Sequence, residues 1–182
     1  MKLLLSTIFL LFTNISIVSA LPKNNGSSLD SIITYNGHYV KQYKEVPIYG
    51  ASGITKTDGF IWNDGQWVHS FVTNYTYDTK ANLLSEIKTM KDGEYIGQKS
   101  IYTYDDQNNF LSEEFYISNS STQLIGLSKH VYQYNPDWTI KNVTASVWDA
   151  KSAIWIEEAL YKYEYDTNQN QTLEEISVKT IN

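Results

Sequence analysis

The stretch Tyr75-Thr76-Tyr77-Asp78 returns three times, as Tyr102-Thr103-Tyr104-Asp105, Tyr132-Gln133-Tyr134-Asn135 and Tyr163-Glu164-Tyr165-Asp166. Counted from the first tyrosine of each, the copies lie 27, 30 and 31 residues apart. Recurrence at a near-constant period marks a repeat architecture, not an active site. The pattern runs on past the acid: Asp78 is followed by Asn82 and Glu86, Asp105 by Asn109 and Glu113, Asp166 by Asn170 and Glu174. The third copy is degenerate. There Thr139 and Val143 replace the Asn and Glu, and Pro136-Asp137-Trp138 fills the turn.

Each unit reads as a long β-hairpin. From Phe60 onward, alternating segments are divided by turn residues, the first at Asn63-Asp64-Gly65 and another at Asp92-Gly93. The expected strands run over 66–77, 83–90, 94–104, 110–117, 124–134, 139–148, 154–165 and 173–180. Ten residues at about 3.3 Å make a strand of roughly 33 Å, and two such strands with their turns account for the period. The fold class is therefore all-β, an antiparallel meander of long repeated hairpins in one twisted sheet.

Period-two alternation places Trp67, His69, Phe71, Thr73, Tyr75 and Tyr77 on one face and Val68, Ser70, Val72, Asn74 and Thr76 on the other. Tyr102 and Tyr104, Tyr132 and Tyr134, and Tyr161, Tyr163 and Tyr165 fall on the face of Tyr75 and Tyr77, forming an aromatic ladder near the Tyr-Asp turns. Farther from those turns the apolar residues change sides, to Ile101, Leu127, Val131, Ile156 and Leu160. The acid after each tyrosine pair can accept from backbone N–H groups two or three residues on, with the following Asn tolerating the left-handed region. It is a turn lock. The oxygen-rich run Asp105-Asp106 with Asn108-Asn109 also fits a weak calcium site as an alternative.

Before the repeats, Ile32 to Tyr35 and His38 to Val40 flank Asn36-Gly37, a pair suited to a two-residue turn. Residues 41 to 59, with Pro47 and several glycines, read as extended and irregular, and residues 31 to 57 are expected to cover part of one sheet face. Lys2, the apolar run Leu3 to Val18 and the small-residue site Val18-Ser19-Ala20 read as a signal peptide over residues 1–20. A polar tail over 21–30 and a single repeat-built domain over 31–182 follow. Asp30-Ser31-Ile32 resembles an acceptor for bacterial protein O-glycosylation. Five Asn-x-Ser/Thr sequons, at Asn25, Asn74, Asn119, Asn142 and Asn170, would matter only in a eukaryotic host.

Composition excludes several classes. The 182 residues contain no cysteine, so disulfides, thiolate metal sites and a cysteine nucleophile are out of reach. All 14 basic residues are lysine. Without Lys2 they number 13 against 20 acidic residues, a formal charge of −7 with no basic footprint for nucleic acid. No segment after the signal is apolar enough to span a membrane, and the expected location is secreted or periplasmic.

Tyr75-x-Tyr77-Asp78-x-x-x-Asn82-Leu83 resembles the YD repeats of Rhs-type cell-surface and toxin-shell proteins, loosely over residues 75 to 180. Where that family has a turn glycine, this chain has Ala81, Asn108 and Gln169, and its units are longer and too few for a closed shell. In length, leader, lack of cysteine and Trp/Tyr-Asp repeats it also resembles small secreted proteins of unknown function from anaerobic gut bacteria. That resemblance implies a location and a fold type, and no activity.

No motif has catalytic spacing: the chain lacks His-Glu-x-x-His, Gly-x-Ser-x-Gly and a phosphate loop. The histidines His38, His69 and His130 are scattered, although His69 and His130 are expected to face the way of the tyrosine ladder. Glu86, Glu113 and Glu174 form a carboxylate row that recurs because the unit recurs. Tyrosines on a flat sheet stack on sugar rings or dock a protein surface. The expected role is non-catalytic binding of glycan or surface protein by Tyr75, Tyr77, Tyr102, Tyr104, Tyr132, Tyr134, Tyr163 and Tyr165. No metal or cofactor is expected. The alternatives are a structural or assembly role, also open through exposed strand edges, and an enzyme.

Overall fold

The computed structural model describes residues 29–35, 41–90, 93–120 and 123–179. The signal segment, nearly all of the polar tail and the Asn36-Gly37 turn lie outside these residues. Eleven strands follow one another along the chain. They are β1 (Ile32–Tyr35), β2 (Lys41–Gly50), β3 (Gly53–Asn63), β4 (Gln66–Tyr77), β5 (Leu83–Met90), β6 (Tyr95–Tyr104), β7 (Phe110–Ser120), β8 (Gln123–Tyr134), β9 (Ile140–Asp149), β10 (Ile154–Tyr165) and β11 (Gln171–Val178). Each pairs antiparallel with its sequence neighbour in a single eleven-stranded meander, and β1 and β11 remain open edges.

From β4 to β11 the strand ends fall within three residues of those read from the sequence. The expectation for residues 41 to 59 is corrected. They form β2 and most of β3, in register from Tyr43↔Ile61 to Gly50↔Gly53, so they extend the sheet instead of lying across it. Pro47 lies beyond the first residue of β1, Ile32, which stands opposite Glu45. From there on β2 pairs, among the described residues, with β3 alone, and such an edge segment is where a strand accepts proline.

The turns follow local chemistry. Asp64 and Gly65 have φ of 47° and 84°, the left-handed pair that a two-residue hairpin turn demands. At the Tyr-Asp turns, the acid works as a lock. Asp105 Oδ1 accepts from Gln107 N at 2.9 Å and Asn109 N at 2.8 Å, while Oδ2 accepts from Asn109 Nδ2 at 2.8 Å. Asp78 and Asp166 repeat this network. The left-handed residue is not the Asn but the one before it: Ala81, Asn108, Trp138 and Gln169, with φ between 62° and 71°. Asn82, Asn109 and Asn170 instead bind the second carboxylate oxygen.

Two bulges recur in each repeat. Thr76 pairs with Ser85 but Tyr77 with Leu83, which makes Leu84 an extra residue. Leu111, Lys141 and Thr172 take the same place in the later units. Toward the other end, the extra residues are Ser70, Gly97, Leu127 and Glu158, each five positions before the first tyrosine of its unit. An inserted residue reverses the alternation beyond it. Ser70 therefore sends His69 and Trp67 to the face opposite Phe71, correcting the single-face assignment of β4. His69 meets Phe60 edge-on at 5.3 Å and Trp67 meets Trp62 at 5.0 Å on that opposite face.

Burial is thin, as a single-layer sheet requires. Among the described residues the buried apolar side chains are Phe71, Val143 and Ala159, with Thr57, Thr73 and Ser146 the buried polar ones. Phe71 lies flat over Gly59, where an added Cβ would come within 2.1 Å of the ring. Lys88 Nζ covers the ring at 3.6 Å from its centre. At the far end of the other face, Trp148 and Trp155 cross at 5.1 Å, and Tyr116 packs on both. Gly126 beneath them leaves no room for a Cβ, which would lie 2.5 Å from Trp155.

Candidate functional site

The eight tyrosines expected to bind share one face, and each is half-buried. Register explains their arrangement. Tyr75 stands opposite Glu86, Tyr102 opposite Glu113, and Tyr163 opposite Glu174. Crossing a full hairpin moves the register by two residues, since Tyr75 leads through Glu86 to Ser100, and Tyr102 through Glu113 to His130. Glu86 and Glu113 therefore each sit opposite one tyrosine and diagonal to the first tyrosine of the next unit. Tyr102 bonds to Glu86, and Tyr132 Oη donates to Glu113 Oε1 at 3.4 Å. His130 Nδ1 is 3.1 Å from the same oxygen.

The result is an alternating row, Tyr75, Glu86, Tyr102, Glu113, Tyr132. Val143 interrupts the carboxylates in the degenerate unit, and it is Tyr161, not Tyr163, that stands in register with it. Burial pushes the Tyr75 hydroxyl up to about 12, with nearby Glu86 acting in the same direction. Burial followed by the charge of Glu86 raises Tyr102, and burial followed by the charge of Glu113 raises Tyr132. Burial also raises Glu86, against the bond from Tyr102.

In two units the second tyrosine reaches back to an earlier hairpin. Tyr77 Oη donates to Ile54 O and Tyr134 Oη to Phe110 O, both at 2.8 Å. Phe110 fills the space between units, with ring centres 5.6 Å from Tyr104 and 5.1 Å from Tyr132. Neighbouring turns touch as well, through Lys80 Nζ to Asp106 O at 2.5 Å and Asn82 Nδ2 to Asn108 Oδ1 at 3.1 Å. Asp105 engages both carboxylate oxygens within its turn, as the turn-lock reading expects. Among the described residues no three His, Asp or Glu side chains gather as a metal site.

The hydroxyls in this row are engaged within the sheet, so what the face offers is half-open rings bordered by carboxylate oxygens. Its outer corner is Trp138, 54% exposed, whose ring centre is 6.5 Å from that of Tyr134. On the opposite face a shallow trough of about 490 Å³ is lined by Lys56, Asp58, Phe60, His69 and Asn74, among others. Lys56 Nζ pairs with Asp58 at 2.8 Å there.

Sequence reading brought the tyrosines together and found Glu86 and Glu113 as a row, but not their place between the rings. Counting outward from each turn pairs Tyr75 with Glu86 only once Leu84 is recognised as extra. His130 joins the row as expected. His69 does not, because the Ser70 bulge turns it to the trough, and His38 lies outside the described residues.

No protein-family model and no curated protein matches this chain. Solved structures do. A protein of unknown function from Bacteroides fragilis is 14% identical with a TM-score of 0.48, covering 64% of this chain and 88% of its own. A DUF3836 family protein from Parabacteroides distasonis is 17% identical with a TM-score of 0.33, covering 45% and 92%. A porin-like protein from Bacteroides uniformis is 13% identical with a TM-score of 0.36, covering 76% of this chain and 50% of its own.

Proposed function

We propose that this protein is a secreted or periplasmic, non-catalytic binding module that holds an extended glycan along its tyrosine face. The observation that carries the reading is the row of half-open tyrosine rings alternating with Glu86 and Glu113 on an open sheet. Aromatic faces stack against the C–H faces of sugar rings, and carboxylate oxygens accept from sugar hydroxyls. A flat, unenclosed surface suits a chain-like ligand better than a small metabolite, which binds where it can be mostly surrounded.

A second reading, assembly at the cell surface, is favoured by the edges. Every residue of β1 and of β11 is exposed, Ile32, Ile33, Ile176 and Val178 among them. Such edges can pair with a further strand.

A glycan array probed with the chain after residue 20 separates the two. Binding that is lost in Tyr102→Ala and Tyr132→Ala variants, with the β-sheet circular dichroism intact, supports glycan recognition on this face. An empty array, with self-association on gel filtration, replaces it with assembly.

A further inference from the structure

The third repeat departs from the others at every position that locks its turn, and it gains one feature in return. In place of the acid stands the amide Asn135, whose Nδ2 donates to Thr139 Oγ1 at 2.9 Å, and Asp137 accepts from Thr139 N and Oγ1 at 3.2 and 2.7 Å. The backbone path is nonetheless that of its siblings. Asn135 N donates to Thr139 O at 2.9 Å and Trp138 N to Asn135 O at 3.0 Å, matching Asp105 N to Asn109 O at 2.9 Å and Asn108 N to Asp105 O at 3.1 Å. Trp138 thus occupies the left-handed position, with φ of 67°.

The siblings fill this position with Ala81, Asn108 and Gln169. A bulky side chain at positive φ is disfavoured by contact between Cβ and the backbone, and Asn or Gly relieves that cost. Trp138 is also more than half exposed, so burial does not repay the strain. Its ring neighbour is Tyr134, which is tied to Phe110 O and so held in place. Pro136 restricts the same turn from the other side. Ala81 and Gln169 carry a Cβ at nearly the same φ, so what sets Trp138 apart from its siblings is its large, exposed ring on that shared backbone.

We infer that Trp138 is the anchoring platform of the tyrosine face, stacking on the apolar face of a pyranose ring where the glycan chain leaves the sheet at its Tyr-Asp end. This rests on the glycan reading above. Indole is the largest aromatic surface available to a sugar C–H face. Tyr134 links it, through the hydrogen bond to Phe110 O, to the Phe110 ring, which packs on Tyr132, and Tyr132 in turn donates to Glu113. The unit that gives up its Glu for Val143 is the one that supplies this ring.

The test compares wild type with Trp138→Gly, Trp138→Ala and Trp138→Phe on the oligosaccharide array, with thermal unfolding measured alongside. A platform under strain predicts that Trp138→Gly unfolds at the same or a higher temperature yet loses about tenfold or more of its array signal, and that Trp138→Phe recovers most of it. Unchanged binding in Trp138→Gly overturns the inference, as does equal loss in Trp138→Ala and Trp138→Phe, which would make the residue a spacer and not a platform. An array left dark by wild type sinks the glycan reading itself and the platform with it. An array lit equally by wild type and the Gly variant sinks the platform alone.

Discussion

The two ends of the sheet solve the same packing problem on opposite faces. Near the Tyr-Asp turns the rings of Tyr75, Tyr102, Phe110 and Tyr132 gather with Glu86 and Glu113 on one side. Toward the other turns Trp62 with Trp67, and Tyr116 with Trp148 and Trp155, gather on the other side. The switch is made by the inserted residues Ser70, Gly97, Leu127 and Glu158. A single sheet without a second layer cannot bury one whole face. Dividing its aromatic residues between two half-faces lets each cluster cover only the length it can seal.

If the two clusters are separate half-cores, damage to each should be local and the costs should add. The largest effect is expected from Phe71→Ala, which uncovers Gly59 and removes the ring under Lys88. Truncating a buried aromatic costs about 3 kcal/mol, measurable as a lower urea midpoint. Gly126→Ala at the other end pushes a methyl into Trp148 and Trp155 and should cost about 1–3 kcal/mol by overpacking. The double variant decides the comparison: independent half-cores give a sum within about 0.5 kcal/mol, and a larger deviation means one cooperative core.

A smaller, pH-dependent difference should separate the turns from the ladder. Hydrogen bonds from the Asn82 and Asn109 side chains, then from backbone N–H groups, hold Asp78 and Asp105 below their ordinary 3.8. A depressed carboxyl contributes stability above that ordinary value and loses it as pH falls through the folded one. Glu86 behaves in the reverse sense. Burial raises it above 4.5, so its contribution is complete below 4.5 and is lost as pH rises through the folded value. Asp105→Asn should therefore flatten the acid limb of a thermal-stability profile. Glu86→Gln should raise the unfolding temperature at pH 7 and leave it unchanged at pH 4. A gain at both pH values would show that Glu86 is not held in the face as described.

The smallest effect is expected at Ala81, where φ is 67°. Ala81→Gly should stabilise by about 0.5–1 kcal/mol, the relief of a left-handed Cβ set against the added freedom of the unfolded chain. A loss of stability there would mean that the turn is held by more than its backbone geometry.

The residues legible in advance are those whose structure is decided within a few positions along the chain. Asp64-Gly65 names its own turn, the Asp78 and Asp105 locks reach only four residues, and strand lengths follow from the spacing between such turns. The tyrosines share a face because no bulge lies between the members of each Tyr-x-Tyr pair. Local pattern misled where the answer depended on a partner strand. Pro47 and the glycines after it read as irregular, yet β3 and the open side of β2 accommodate them, and His69 lost its expected face to an inserted residue five positions before Tyr75.

The sequence by itself determined a repeated antiparallel hairpin, the places where it turns and the side chains that close those turns, because these rest on backbone propensity and on hydrogen bonds between near neighbours. Tertiary structure alone decided that residues 41–59 join the sheet, that Glu86 and Glu113 come to lie between tyrosines of successive units, and that the tryptophan pairs face away from the ladder. Those facts are set by register, a relation between two strands. One extra residue in either strand reverses every side chain beyond it, and period-two alternation read along a single strand carries no record of that insertion.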